Sequence, residues 1–168
     1  MTDESRAEST EARPASEDEA FAKALDLLAL RPHFRAEMRS KLSRRHFAES
    51  AVESTLDKLT ELGYLDDLAS ARAFASQSAS RKGWGPRRLM AELSRRGVGE
   101  EHVQTVVEEA FAAGEGAPAR AVAARWAARG GTDRDRLARY LDRRGFSKAV
   151  IVEILHEFAA EPSGAAWE

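Results

Sequence analysis

Arginine is the residue type in this chain whose numbers and spacing suggest chemistry. It stands in pairs at Arg44-Arg45, Arg95-Arg96 and Arg143-Arg144. A guanidinium is planar, permanently charged and weakly hydrated, and its fork of N–H donors matches a phosphate or a carboxylate. Each pair lies inside one recurring phrase: Leu42-Ser43-Arg44-Arg45-His46-Phe47, Leu93-Ser94-Arg95-Arg96-Gly97-Val98 and Leu141-Asp142-Arg143-Arg144-Gly145-Phe146. The copies start 51 and 48 residues apart. Self-similarity at such a period marks stacked helical units.

Other chemistries find little support. His33, His46, His102 and His156 are widely separated, form no His-x-x-x-His pair and have no cysteine beside them, which argues against a transition-metal site. Gly114-Glu115-Gly116 lacks a following Lys-Ser or Lys-Thr and joins helical segments, so it is not a phosphate loop. Among the acidic pairs, Asp66-Asp67 and Glu100-Glu101 fall at helix starts, where capping accounts for them, and Glu108-Glu109 reads as a solvated face. The expectation is a protein that is not an enzyme and takes no metal and no cofactor.

The elements that must position the arginines follow from the residues around the phrase. Four residues before its leucine stand Met38, Leu89 and Leu137. Ten after it come Val52, Val103 and Ile151, and fourteen after it Leu56, Val107 and Leu155. These are the spacings of two amphipathic helices around a short turn. A further helix precedes each hairpin. The first carries Phe21, Leu25 and Leu28 and stops before Pro32. The second, about 67–81, follows Leu65-Asp66-Asp67, where either aspartate can cap it, and turns Ala71, Phe74 and Ala75 inward. The third, 118–129, carries Val122 and Trp126.

The hairpin helices are expected at 34–45 with 48–62, 86–96 with 100–112, and 133–144 with 147–160. Pro86 opens its helix, and Thr132-Asp133-Arg134-Asp135 has the spacing of a capping box. The fold class is all-α: three tandem three-helix repeats in an elongated curved array. The boundaries are 17–64, 65–113 and 117–160, between a disordered acidic tail at 1–16 and a C-terminal tail at 161–168.

Composition agrees with such an array. Charged residues make up 32% of the chain, above the roughly 25% usual in globular proteins, so much surface stays wet. The absence of cysteine fits a reducing compartment, and no apolar run nears the ~20 residues of a membrane span. A soluble, cytoplasmic monomer without membrane contact is expected. The net charge of -2 conceals an asymmetry: residues 1–19 hold seven acids against Arg6 and Arg13, leaving 24 basic and 21 acidic side chains in the remainder. The body is mildly basic, and the tail either solubilises it or competes with nucleic acid for it.

Arg88 and Arg95 are seven apart and share a helix face with Glu92, and Arg136 and Arg143 occupy the matching positions with Tyr140 in place of the acid. Arg87, Arg96, Arg134, Arg139, Arg144 and Lys148 add to this surface. Because the leucines face the core, these arginines are expected to point outward. Two readings are open: a solvated face with cations favourably placed at helix C-termini, or a contact edge for phosphates or an acidic protein surface. Arg81-Lys82-Gly83-Trp84 is a further exposed candidate, unless Trp84 staples the next helix to its neighbour.

The sequence resembles the RecX regulatory-protein family over residues 20–160. The resemblance lies in the order Leu65-Asp66-Asp67, Phe74-Ala75, Arg81-Lys82-Gly83 and Leu93-Ser94-Arg95-Arg96-Gly97-Val98, in the opening helix leading to Lys41-Leu42, and in the closing Arg144-Gly145-Phe146. It implies a curved array of three three-helix repeats that inhibits the RecA recombinase by lodging in the groove of the RecA–DNA filament, with some binding to single- or double-stranded DNA. The contact edge it implies comprises Arg44, Arg45, Arg81, Lys82, Arg87, Arg88, Arg95, Arg96, Arg136, Arg139, Arg143, Arg144 and Lys148. Three features depart from the pattern: Phe34 in place of a capping serine, His46 in place of a turn glycine, and the long acidic tail.

Overall fold

The computed structural model describes residues 16–160; residues 1–15 of the tail expected at 1–16, and the tail expected at 161–168, lie outside them. Among the described residues there are nine helices and no strand: α1 (Glu17–Leu30), α2 (Arg35–Ser43), α3 (Glu49–Glu61), α4 (Asp67–Lys82), α5 (Pro86–Arg95), α6 (Glu100–Ala110), α7 (Gly116–Ala127), α8 (Arg134–Arg144) and α9 (Lys148–Ala160). No described helix is long and apolar enough to cross a membrane. The chain forms two compact units. One runs to Pro32 and takes in Met38–Leu65, and the other joins His33–Glu37 to the chain from Asp66 onward.

In the first unit α1 and α3 pack together and enclose Ala24, Leu27, Met38, Leu42, Val52, Leu56, Leu59 and Leu65. The inward stripe of α1 is Ala20, Ala24 and Leu27, with Phe21, Leu25 and Leu28 half-buried at its flank. The expected stripe was therefore one residue out of phase, because the small alanines are what lets α3 approach. Ser16, assigned from sequence to the tail, caps α1: its hydroxyl accepts from the Glu19 N–H, and Glu19 accepts from the Ser16 N–H. That reciprocal pair is a capping box.

The second unit has two cores. One holds Phe34, Ala71, Ala75, Leu89, Leu93, Val98, Val103, Val106 and Val107, and the other Ala119, Val122, Ala123, Leu137, Leu141, Phe146, Ile151 and Ile154. Phe34 is thus not a failed cap. Its ring meets Phe74 edge-on at 6.4 Å, an apolar task serine cannot perform. The two aspartates divide their work: Asp66 accepts from the Ala69 N–H and caps α4, while Asp67 accepts from the Arg35 N–H at 2.8 Å. Burial pushes the Asp67 carboxyl above its ordinary range, against that hydrogen bond.

Two local expectations need correction. Helix α7 begins at Gly116, two residues before the expected 118, and Pro118 sits in the first helical turn, where its missing N–H is harmless. The cap of α8 is Asp133, whose carboxylate accepts from the Arg136 N–H; Thr132 forms no box. A carboxylate at the N-cap also opposes the positive end of the helix dipole, which a hydroxyl does less well.

The recurring phrase is a helix ending. Its leucine is fully buried in all three copies, and its turn residue is left-handed in all three: His46 (φ 62°), Gly97 (φ 79°) and Gly145 (φ 89°). At the second and third copies the N–H of the closing apolar residue returns to the leucine carbonyl, Val98 to Leu93 at 3.2 Å and Phe146 to Leu141 at 3.3 Å. This six-to-one bond closes the helix and folds the apolar residue back onto the core.

Candidate anion and partner interface

Helix α5 starts without a side-chain cap, since Gly85 occupies that position and Pro86 follows. Its free donors go to the end of α8: the Gly85 N–H to the Arg144 carbonyl at 2.7 Å and the Arg87 N–H to the Gly145 carbonyl at 3.0 Å. The positive end of one helix thereby meets the negative end of another. Both glycines are needed for this approach. A methyl group at Gly85 would come within 2.7–2.8 Å of the Gly145 carbonyl, and one at Gly145 would run into the Arg88 backbone nitrogen.

This junction assembles cations from four helices. Arg88 donates to the Arg143 carbonyl at 3.0 Å and lies 4.6 Å from the centre of the Trp84 ring; Lys82 lies 4.6 Å from the same centre. Trp84 in turn meets Phe74 edge-on at 5.9 Å. Arg144 stacks on Tyr140 and donates to its hydroxyl at 2.7 Å. A Cβ placed at Gly83 would lie 2.9 Å from Arg125 Nη2 and 3.6 Å from Arg144 Nη1, so both guanidinium groups reach the end of α4. Among the described residues, Arg81, Lys82, Arg88, Arg125, Arg143 and Arg144 have no carboxylate within ion-pair reach. Helix C-termini and aromatic faces offset such charge only in part. Among the described residues the junction therefore carries an excess of positive charge, with an indole in it.

The other predicted arginines sit differently, and the expectation that all point outward is corrected. Arg96 is largely buried. It pairs with Glu37 and Glu92, both at 2.9 Å, and lies over Phe74 at 4.5 Å. Arg95 is exposed but gives two hydrogen bonds to Glu92, at 2.6 and 3.0 Å. Two arginines and two glutamates cancel, so this pair is an electrostatic strut rather than a free edge. The Arg95 hydrogen bonds, then those of Arg96, hold the Glu92 carboxyl down to about 2, against the opposing effect of burial. Arg88 and Arg95 do not share Glu92, because Arg88 is drawn to Trp84 and the Arg143 carbonyl instead.

Arg87 pairs with Asp142 at 2.6 Å, and Arg136 stands 3.6 Å from Asp133. Arg139 on α8 and Lys148 at the start of α9 are exposed and have no ion-pair partner among the described residues. In the first unit Arg44 and Arg45 donate to the Ser40 and Lys41 carbonyls and so finish α2.

Two features escaped the sequence reading. Arg125 was not singled out, although Gly83 and Arg125 meet across 42 residues of chain. The second is a slot joining the first and third helix of each repeat, its members always 37 positions apart in the sequence. Arg72 grips Glu109 with two bonds of 2.7 and 2.8 Å, and Arg120 grips Glu157 with two of 2.6 and 2.7 Å. In the first unit the same slot holds Lys58 over Phe21 at 4.5 Å. Aligning the repeats on their phrase and comparing pairs at constant separation would have exposed it.

Comparison with known proteins gives a consistent picture. Residues 20–59 match the RecX first three-helix domain and residues 66–107 the RecX second three-helix domain. Regulatory protein RecX of Thermus thermophilus is 50% identical over 92 residues, 55% of this chain and 63% of that protein. Regulatory protein RecX of Chlorobium phaeobacteroides is 36% identical over 90 residues, 54% of this chain and 60% of that one. The matched stretch is thus less than two thirds of either relative. The crystal structure of RecX from Lactobacillus salivarius superposes with a TM-score of 0.75 at 20% identity, covering 85% of this chain and 96% of that one. A second RecX crystal structure gives 0.71 at 23% identity, over 82% and 70%. These two similarities establish an all-α helical repeat fold.

Proposed function

Because the chain belongs to the RecX family, we propose that it is a non-catalytic regulator that binds the RecA–DNA filament and inhibits the recombinase, by blocking filament extension or promoting disassembly. The observation that supports this most is the junction of α4, α5, α7 and α8, where Lys82, Arg88, Arg125 and Arg144 come together with no carboxylate within ion-pair reach among the described residues. A surface of that kind suits the phosphates and acidic side chains of a nucleoprotein filament. Among the described residues no three His, Asp or Glu side chains gather as a metal site. The protein acts in this reading as a cytoplasmic monomer without cofactor. The contact residues are Arg81, Lys82, Arg88, Arg143 and Arg144, with Arg125 added and Arg95 and Arg96 reassigned to structure.

The test is RecA's single-strand-dependent ATP hydrolysis and strand exchange. Protein at well below one molecule per RecA should slow both, and no effect at equimolar protein would overturn the reading. A second reading, a protein that acts directly on nucleic acid, draws on the same cations and on Trp84, which is only half-buried. Steeply salt-dependent binding to bare DNA with no effect on RecA would select it.

A further inference from the structure

Beside the cationic junction, α4, α6 and α7 border an open groove of about 540 Å³ that no side chain of the described residues fills. Most of its lining is small: Ala75, Ser76, Ala79 and Ser80 of α4 and Pro118 and Ala121 of α7, with Phe111 the one aromatic lining residue. Small side chains on both walls admit a foreign side chain deep between the helices, and what they offer it is apolar contact. Two charged features mark the rim. At one, Arg72 and Glu109 neutralise each other through their paired hydrogen bonds. At the other, Arg125 is exposed and has no carboxylate within ion-pair reach among the described residues.

We propose that this groove receives a short segment of a protein partner, in which an apolar side chain enters between α4 and α7 and a neighbouring Asp or Glu pairs with Arg125. The choice of partner for the test rests on the regulator reading above. Charge decides the kind of occupant. A nucleic-acid strand needs several phosphate contacts and a stacking surface, whereas the groove provides, among the described residues, one cation without an ion-pair partner, a mostly small and apolar lining, and a carboxylate, Glu109. An acidic, apolar peptide matches both the apolar part of the lining and the exposed Arg125, while Ser76 and Ser80 can hydrogen-bond its backbone. The cationic junction and the groove then divide the work: phosphates at one, a protein segment at the other, with Arg125 between them.

The chain contains no cysteine, so Ala121→Cys places a single reactive thiol on the groove wall. Ala121 is exposed, and a matching melting curve checks that the variant folds. The labelled full-length protein, carrying a photoreactive maleimide, is mixed with RecA assembled on single-stranded DNA, irradiated, and the joined peptides are sequenced by mass spectrometry. The expected product is a RecA peptide with an apolar residue next to an acid. Its yield should fall at least tenfold when Arg125→Glu is added and recover with Arg125→Lys.

A product joined only to DNA, no RecA product, or a yield indifferent to Arg125→Glu would overturn the inference. If any of these occurs while the unlabelled protein still slows RecA ATP hydrolysis, the groove assignment fails alone. A protein that neither binds nor slows RecA removes the regulator reading, and this inference with it.

Discussion

Replacing Glu92 by glutamine tests the division of the arginines into struts and free cations. Glu92 accepts from Arg95 and from Arg96, and its side chain is only 19% exposed. Its carboxyl is held from 4.5 down to about 2 by those two arginines. At ~1.4 kcal/mol per pH unit between those values, the ceiling is roughly 3 kcal/mol of stability at pH 7, and ~2–3 kcal/mol is expected after screening. The folded value lies below the unfolded one, so this stability is fully present above pH 4.5 and is lost as the pH falls through about 2.

Urea unfolding of the wild type and Glu92→Gln at pH 7, 4 and 2.5 should show a gap that is full at pH 7, narrows at pH 4 and is smallest at pH 2.5. The substitution also frees Arg95, since Arg96 keeps Glu37. Affinity for single-stranded DNA should therefore rise, with the salt slope steeper by ~0.7 for one added phosphate contact. A gap that is the same at pH 7 and 2.5, or a salt slope left unchanged, would refute the view that Glu92 withholds this pair from partners.

Three further outcomes concern single positions. Leu93→Ala, fully buried in the recurring phrase, should cost ~2–5 kcal/mol in urea unfolding at any pH, with no change specific to partner binding. Gly145→Ala forces a side chain into a left-handed residue and against Arg88, and should lose ~2–5 kcal/mol together with the protection of the Gly85 and Arg87 amides from hydrogen exchange. His46→Gly should move the other way, stabilising by ~0.5–1 kcal/mol, because His46 alone among the described non-glycine residues holds a positive φ; thermal melting checks the sign.

Much of this protein is local, and what is local was legible. Leucines four apart, an apolar residue after each turn and a residue able to turn left-handed specify a helical hairpin through contacts within about a dozen residues. The three hairpins were therefore recovered from spacing. The first stripe of α1 was misjudged because Ala20 and Ala24 are small, and smallness matters only once α3 is packed against it. Asp133 and Ser16 were missed as caps because several polar residues there have the right chemistry and backbone geometry alone selects one.

The candidate surface was legible only as a composition. Sequence alone determined that arginines recur in pairs beside buried leucines, since that follows from period and charge. It could not determine which arginines remain available. Arg96 turns inward because Glu37 lies 59 residues away in sequence and 2.9 Å away in space, and Arg87 is neutralised by Asp142 across 55 residues. Arg125 reaches the end of α4 because Gly83 has no side chain to block it. A charge becomes a strut or a contact according to which opposite charge the packed helices bring within about 3 Å, and that is a property of tertiary structure.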